Sequence, residues 1–440
     1  MRSHITTKGI ERATHRALYY SMGFLPEDLD KPLIAVINTK SESMPGHVHL
    51  DAIAKSVREG ILAEGGTPIE FPTIALCDGI AQGNYGMHYP LASRELIADS
   101  IKCMINGHSY DAMVLITECD KVTPGMLMAA ARLNVPSIMI SGGPMDTGYC
   151  AGKEQGYTDL MEASGAVQRG VMTLEELDEL EHLALPGCGA CNILGTANSM
   201  NFLTEVLGMA LPGSTIPATS GRRLALAKKT GKKIMELFRE DIRPRDVLTK
   251  EAFYNALLVD MTIGGSSNTL LHLAAIANEA GVEFNMNIIK EIASKTPCLV
   301  KLKPSGKHFP ADLDKAGGIA AVMKELQSLE LLKDNLTATG QNVFENIKDA
   351  RVTNRDVIRN KDTAYSQTGG LVLLYGNLAS EGSVCKKAGV SSDMLKHRGP
   401  ARVFNNEEDS VKAIYNGEIK SGDVVVVRYE GPKGGPGMRE

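Results

Sequence analysis

The sequence predicts an α/β protein with a large N-terminal domain and a smaller, β-rich C-terminal domain. In the first part of the chain, apolar runs of strand length alternate with helical patterns, which is typical of a mostly parallel sheet flanked by helices. After about residue 349 the pattern changes to short β-type runs separated by Gly, Asn and Asp. A chain of 440 residues is also too long for one ordinary domain. We therefore expect domains at 1–345 and 346–440.

Four apolar runs define the predicted parallel sheet. They are Leu33–Ile37, Ile69–Leu76, Ala112–Thr117 and Ser137–Ile140. Helical periodicity between them predicts helices at Ala52–Glu64, Ser93–Met104 and Gly125–Leu133. Ligands bind at the carboxyl ends of strands in open α/β sheets, and polar, glycine-containing loops follow three of these strands. The sequence therefore predicts a site at that edge of the sheet.

The remaining elements are predicted from periodicity and turn residues. An acidic surface helix is expected at 165–181, followed by helices at Thr196–Leu211, Leu224–Arg239 and Thr269–Ala280. The small-residue turn Met261–Asn268 either presents free amides to an anion or allows a tight helix contact. The β-type runs Val352–Ile358, Gly370–Leu374, Ala401–Phe404 and Val424–Arg428 are expected to form an incomplete, β-barrel-like domain.

Composition excludes several classes of protein. With 43% hydrophobic residues and a mean hydropathy of -0.09, the chain can bury a sizeable core. A net charge of -5 and a pI of about 6.1 argue against a nucleic-acid partner or an anionic membrane surface. No apolar run has the length of a membrane span, and no signal-peptide pattern follows the start. We expect a cytoplasmic protein.

Eight cysteines without a signal peptide indicate reduced thiols or metal ligands rather than disulfides. Four of them lie beside charges or glycines, namely Cys77, Cys119, Cys188 and Cys191. The Cys188-x-x-Cys191 pair alone is compatible with a redox pair or half of a zinc site. Zinc is disfavoured because no second such pair, and no close pair of histidines, completes a set of four ligands.

The tripeptide Cys119-Asp120-Lys121 places a soft thiol, a hard carboxylate and an amine at the end of a predicted strand. Asp78 and Asp120 each follow a cysteine, and their oxygens suit Mg²⁺. Cys119 and Cys191 suit a softer metal or an iron–sulfur cluster. A hard cation and an iron Lewis acid at one site fit the elimination of water from a hydroxy acid. His47 and His49 form an HxH motif that could bind metal, although such a pair is more often structural or in contact with substrate.

Several strings resemble the dihydroxy-acid dehydratase family over nearly the whole chain. They are PGHVHL (45–50), CDGIAQGNYGMHYPLASRELIADS (77–100), CDKVTPGMLMAAARLNVP (119–136), SGGPM (141–145), PGCGAC and GTANSM (within 186–200), and GGSSNTLLHLAAIANEAG (264–281). The resemblance implies a homodimeric hydro-lyase that converts 2,3-dihydroxy acids to 2-keto acids in branched-chain amino-acid biosynthesis. Sugar-acid (aldonate) dehydratases are close relatives and stay as the alternative.

The resemblance also implies roles for individual residues. Cys119 and Cys191 match ligands of an iron–sulfur cluster. Asp78, Asp120 and Glu440 match Mg²⁺ ligands, and Lys121 matches a lysine that is carboxylated to supply another oxygen to Mg²⁺.

Two departures from the family pattern are informative. Gly46 stands where many members carry a third cysteine, which favours a [4Fe–4S] over a [2Fe–2S] cluster. The family's proton-abstracting serine lies in a GRFSG motif beyond residue 440, so we expect a C-terminally truncated chain with little or no activity. A non-catalytic homologue is the competing hypothesis. An NAD-dependent oxidoreductase is disfavoured because no G-x-G-x-x-G motif follows a strand.

Overall fold

The computed structural model describes residues 1–431 and 437–439. Its centre is a parallel sheet in the order β2-β1-β3-β4, formed by β1 (Leu33–Asn38), β2 (Thr67–Pro72), β3 (Ala112–Thr117) and β4 (Ser137–Ser141). Every residue of β1, β3 and β4 is buried, as expected for parallel strands covered on both faces. The predicted sheet is therefore confirmed.

Alternate side chains of the strands belong to two different hydrophobic cores. Leu33, Ala35 and Ile37 face one core, whereas Ile34 and Val36 face the other. The first core includes helices α5 (Pro90–His108) and α6 (Val122–Leu133), and the second includes α3 (Leu50–Ala63) and α10 (Gly221–Glu240). Helices thus cover both faces and leave the strand ends open for a site.

The other helices surround this sheet or lie in the C-terminal part. They are α1 (His4–Thr7), α2 (Ala13–Ser21), α4 (Asp78–Ala81), α7 (Tyr157–Gln168), α8 (Leu174–Leu183), α9 (Thr196–Val206), α11 (Pro244–Val247), α12 (Lys250–Ile263), α13 (Asn268–Ala280), α14 (Met286–Lys295), α15 (Pro310–Lys315), α16 (Gly318–Ser328), α17 (Val343–Asn346) and α18 (Glu407–Tyr415). None of the helices in the described ranges is long and apolar enough to cross a membrane.

The smaller strands pair in twos. A short hairpin joins β5 (Gly148–Cys150) to β6 (Lys153–Gln155), and an antiparallel pair joins β7 (Val372–Gly376) to β8 (Ala379–Cys385). A parallel pair joins β9 (Ala401–Phe404) to β10 (Val424–Val427). The C-terminal part is therefore strand-containing, as predicted, but its described residues form two separate two-stranded sheets. The division at residue 345 stays a prediction.

Three element predictions were wrong. The expected helix at 165–181 is two helices, α7 and α8, because Gly170 adopts φ +68° between them and Thr173 caps the second. The run Val352–Ile358 forms no strand, although Val357 and Ile358 are buried. Strand β2 ends at Pro72 rather than at Leu76, so four residues separate it from Cys77.

The basic helix α10 is more than a surface helix. Its apolar side, including Leu226, Ile234 and Leu237, is buried against the second core, while its lysines face outward. Amphipathic packing of this kind follows from the helical spacing of those residues.

Candidate active site

Loops from the carboxyl ends of the central strands meet the segment 188–192 at one edge of the sheet. The backbone amide of Gly189 donates to Pro45 O (3.0 Å), and the amide of Ala190 donates to Gly143 O (3.0 Å). Met145 N donates to Ala190 O at 2.8 Å. These bonds hold the residues after β1, β4 and α8 around the end of β3, where Cys119–Lys121 lie.

Cys119 has a left-handed backbone conformation, with φ +68°, directly after the end of β3. Such a conformation is uncommon for a residue other than glycine and requires support from its surroundings. Glu118 supplies part of that support. Its buried carboxylate accepts the Gly143 amide (2.6 Å) and a hydrogen bond from Asn201 Nδ2. Cys119 thus lies at the margin of the first core, at the edge of the sheet where the site is expected.

Burial also changes the pKa of Glu118. Removal from water raises the pKa of the Glu118 carboxyl to about 8, against the opposing charge of the buried Arg223. Arg223 Nη2 donates to Ser214 O at 3.0 Å, which anchors the guanidinium behind the site. A second buried carboxylate, Glu205, also faces Arg223 and accepts the Ser214 hydroxyl at 2.6 Å. Sequence reasoning did not identify this network.

The two predicted cluster cysteines lie in one electrostatic environment. Burial raises the pKa of the Cys191 thiol to about 12 and also raises the pKa of Cys119. The charges of Asp120 and Glu118 raise both pKa values further. Without a cation these thiols retain their protons, whereas a bound cation would replace the protons and relieve the repulsion. The sulfur of Cys119 also lies 3.9 Å from Met44 Sδ.

The predicted Mg²⁺ ligands that the structure describes surround the Lys121 amine. Lys121 Nζ contacts Asp78 Oδ2 and lies 3.8 Å from Asp120 Oδ2. Asp78 Oδ1 is buried and has no hydrogen-bond partner among the described residues. A buried carboxylate oxygen without a partner is costly, and a cation is a natural partner for it.

The predicted ligand Glu440 lies outside the described residues. Its neighbour Arg439 is described, and Arg439 O accepts the Gly83 amide at 2.7 Å. Gly83 closely follows α4, the helix that begins at Asp78. Arg439 also pairs with Glu408 at 2.6 Å, and its amide donates to Glu407 at the same distance.

The histidines near the site are held by backbone carbonyls. A ring nitrogen of His47 lies 2.7 Å from Thr39 O, and one of His49 lies 3.1 Å from Gly142 O. Burial lowers the pKa of His47 to about 4, so its imidazole is neutral at pH 7. These contacts favour the structural interpretation of the HxH motif.

His272 is a site neighbour that the sequence did not identify. It lies on α13, is fully buried, and its Nδ1 is 3.2 Å from Arg94 Nη1. Burial, with the nearby positive charges of Lys121 and Arg94, lowers its pKa to about 3. The only sequence signal was the spacing of α13, and helical spacing alone cannot separate a site histidine from a core histidine.

The turn at 261–268 supports the helix-contact interpretation. Ser266 N donates to Ser199 Oγ (3.1 Å), and Gly265 N donates to Asp260 O (3.0 Å). A side chain on Gly265 would collide with the Asp260 carboxylate at 1.9 Å. The Gly265 amide therefore closes the end of α12, and the Ser266 amide ties the turn to α9.

No three His, Cys, Asp or Glu side chains within residues 1–431 and 437–439 are grouped closely enough to hold a single metal ion. An iron–sulfur cluster has a different requirement, because its thiolates bind separate irons. The arrangement of thiols beside carboxylates can thus serve a cluster with a hard cation next to it.

Comparisons with known proteins agree with this arrangement. The N-terminal model of the dihydroxy-acid/6-phosphogluconate dehydratases matches residues 31–346, and the corresponding C-terminal model matches residues 356–440. Proteins named dihydroxy-acid dehydratase from Ruminiclostridium cellulolyticum and Acetivibrio thermocellus are each 56% identical over the whole chain, which spans 80% of each relative. One from Caldanaerobacter subterraneus is 55% identical over the same extent. The chain belongs to the dihydroxy-acid/6-phosphogluconate dehydratase family.

Proposed function

We propose that this protein is a dihydroxy-acid dehydratase, a hydro-lyase that converts 2,3-dihydroxy carboxylic acids to 2-keto acids in branched-chain amino-acid biosynthesis. The observation that carries the proposal is 56% identity over the whole chain to relatives of that name, of which the chain spans 80%. The site agrees with it because thiols and hard carboxylates meet at the carboxyl edge of the sheet. No comparable observation favours a sugar-acid substrate or a non-catalytic homologue.

Cys119 and Cys191 would hold the iron–sulfur cluster. Both cysteines are partly buried, and desolvation together with neighbouring carboxylates makes the site unfavourable for thiolates unless a cation is bound. The raised thiol pKa of Cys191 also argues against a simple redox pair of Cys188 and Cys191, in which a low thiol pKa would be expected. Cys188 faces Asp146 and Glu118 instead, so we assign it no ligand role.

Asp78, Asp120 and a carboxylated Lys121 would hold Mg²⁺, with Glu440 as a further ligand. The partnerless Asp78 Oδ1 supports this assignment, because it is a free hard oxygen beside Asp120. A protonated Lys121 would repel Mg²⁺, whereas carboxylation would replace the positive charge with a metal-binding oxygen. The bond between Gly83 and Arg439 O supports a role for the C-terminal segment next to Asp78.

The end of β3 explains how one substrate would meet two metals. Cys119 and Asp120 are consecutive, so the backbone brings a soft ligand and a hard ligand within one residue of each other. When bound, the cluster and Mg²⁺ would act as Lewis acids on the leaving hydroxyl and on the substrate carboxylate. Buried Glu118 and Arg223 hold the strand end in place and exclude water from behind it.

Gly46 supports a [4Fe–4S] rather than a [2Fe–2S] cluster. Its backbone lies so close to Cys119 that an added Cβ would stand 3.0 Å from Cys119 Sγ. Because residue 46 is a glycine, it supplies no thiol to a cluster. We further propose a homodimer located in the cytoplasm, as the family resemblance implies.

The proposal is tested by metal analysis and substrate binding on anaerobically purified protein. We expect iron, acid-labile sulfide and Mg²⁺ in the parent, and an electron paramagnetic resonance spectrum of the reduced cluster that changes when a branched-chain 2,3-dihydroxy acid is added. A 2-keto-acid assay with the same substrate measures turnover directly. Cys119→Ser should lose iron and keep its circular dichroism spectrum. A parent without iron, or a spectrum that responds to 6-phosphogluconate but not to the branched-chain acid, would refute the proposal.

A further inference from the structure

Cys77 is a third thiol beside the two expected cluster ligands. It immediately precedes α4, and the backbone amides of Gly79 and Ile80 face its sulfur. Amides that point at a thiolate stabilise its negative charge, and hydrogen bonds to sulfur are characteristic of iron–sulfur sites. These amides belong to a helix of only four residues, and they stabilise the thiolate as direct hydrogen-bond donors rather than through a helix dipole.

One side-chain contact brings the segment of Cys77 to the segment of Cys119. The residue after Cys77 is Asp78, whose carboxylate contacts Lys121 Nζ. Lys121 in turn lies two residues after Cys119. This ion pair is mostly buried, with side-chain exposures of 9% and 12%, and ties the segment after β2 to the segment after β3.

Cys77 also interacts electrostatically with both other thiols. Among all charged groups, Cys77 makes the largest contribution to the raised pKa of Cys119, and it does so again for Cys191. Because the interaction between charges falls with distance, this agrees with the buried ion pair in placing the Cys77 loop beside the loops of Cys119 and Cys191. Cys188 differs from these thiols, since the charged groups that raise its pKa are the carboxylates Asp146 and Glu118 and include no cysteine.

The proposed function leaves one protein ligand of the iron–sulfur cluster unassigned, and Cys77 can fill that role. A [4Fe–4S] cluster has four irons, each of which takes a protein ligand when the cluster is fully coordinated. If one iron is open for substrate, three thiolates are needed, and Cys119 and Cys191 supply two. Position 46 is a buried glycine and supplies none.

We propose, resting on the dehydratase function above, that Cys77 is the third protein ligand of the iron–sulfur cluster. Asp78 then binds Mg²⁺ from the adjacent position, so Cys77-Asp78 and Cys119-Asp120 form two equivalent thiolate–carboxylate pairs. Each pair contributes one ligand to the cluster and one to the hard cation. The cluster and the cation are thereby held by the same two loops, and the distance between them is set by the backbone.

The test compares single variants of the complete chain, purified or reconstituted without oxygen. Iron and acid-labile sulfide per chain are measured with the electron paramagnetic resonance spectrum of the reduced cluster. Cys77→Ala should lose iron and sulfide to the level of Cys119→Ser, whereas Cys188→Ala, the matched control in a neighbouring loop, should keep the parent content. Circular dichroism and a thermal melt report whether each variant is folded.

Cys77→Ser keeps the side-chain size and guards against a trivial loss of folding. Loss of the cluster from this folded variant, or a changed spectrum from ligation by oxygen, supports the ligand role. Parent iron content with the parent spectrum in both Cys77 variants would overturn it and leave the dehydratase proposal standing. A parent chain that binds no cluster after reconstitution would overturn both.

Discussion

At the scale of single residues, the site depends on a close approach between two backbone segments. Gly46 lies between Cys119 and the loop at 188–192, and an added Cβ would be 3.0 Å from Cys119 Sγ and 3.3 Å from Glu118 Cγ. Because Cys119 already has a left-handed backbone and Glu118 is fully buried, neither neighbour can move freely. In this chain, a side chain at position 46 would therefore require Cys119 or Glu118 to shift.

Gly46→Ala is expected to lower the iron content and to reduce the free energy of unfolding by about 1–3 kcal/mol, as in other overpacked sites. The methyl group would push the Cys119 thiol away from its position. Iron analysis and urea unfolding measure the two effects. Gly187→Ala is the control, because nothing lies within 4 Å of an added Cβ at that exposed residue of the same site. Equal iron content in the two variants would contradict the prediction.

Residue chemistry was predictable where neighbours in sequence are also neighbours in space. Cys119, Asp120 and Lys121 are consecutive, and their mixture of ligand types marked the strand end as a site. Asp78 was predicted as a ligand because it repeats the Cys-Asp pattern, and its carboxylate contacts Lys121 in the structure. His272 and Arg223 were missed because they reach the site from helices 151 and 102 residues beyond Lys121, and nothing in local spacing reports such contacts.

At the scale of elements, helices α3 and α10 pack in close backbone contact. An added Cβ on Gly60 would lie 2.2 Å from Lys228 O, and one on Gly231 would lie 2.0 Å from Val57 O. The two glycines allow the helix backbones to touch, which small residues permit and larger ones do not. This packing covers one face of the central sheet.

Gly231→Ala should destabilise the protein by at least about 1–3 kcal/mol, since the new methyl group meets backbone atoms that cannot rotate away. Gly165→Ala provides a matched control in α7, where an added Cβ meets nothing within 4 Å. That variant should instead gain roughly 0.5–1 kcal/mol from the higher helix propensity of alanine. Urea unfolding of both variants gives the comparison, and a neutral Gly231→Ala would disprove the close contact.

Element boundaries were predictable where caps and burial agree. Strand β3 was predicted at its observed limits because a fully apolar run ends in charges. The split between α7 and α8 also had a sequence signal, since Thr173 and Glu176 form a capping box after Gly170. The buried residues Val357 and Ile358 show the limit of pattern reasoning, because a short apolar run can pack against a core without pairing as a strand.

At the scale of the whole molecule, the C-terminal part reaches the site through side chains. Lys386 follows β8 and donates from Nζ to Leu194 O at 3.1 Å, close to Cys191 in the chain. The fold class was predictable from the order of patterns, but this contact joins residues 192 positions apart and has no local signature. Lys386 also faces Asp260 of α12, whose carboxyl is fully buried and accepts the Thr269 hydroxyl at 2.6 Å.

Asp260 should make stability depend on pH. Burial raises the pKa of its carboxyl from 3.8 to about 7, although the Thr269 hydroxyl and Lys386 oppose the rise. The folded state therefore keeps a proton that the unfolded chain releases above about pH 4, so this contribution to stability is present at low pH and is lost as pH rises to about 7. Between pH 5 and pH 8 the loss amounts to roughly 3 kcal/mol, at about 1.4 kcal/mol per pH unit.

Asp260→Asn removes that titration, so the free energy of unfolding of the parent relative to the variant should fall between pH 5 and pH 8. Urea unfolding of both proteins at a series of pH values gives this difference. Asp362→Asn, at an exposed position, controls for the loss of a charge as such. A difference between parent and Asp260→Asn that stays constant over the series would show that Asp260 is ionised throughout. In that case the attraction of Lys386 would outweigh burial, and the contact of Lys386 with the loop after Cys191 would depend on a buried ion pair.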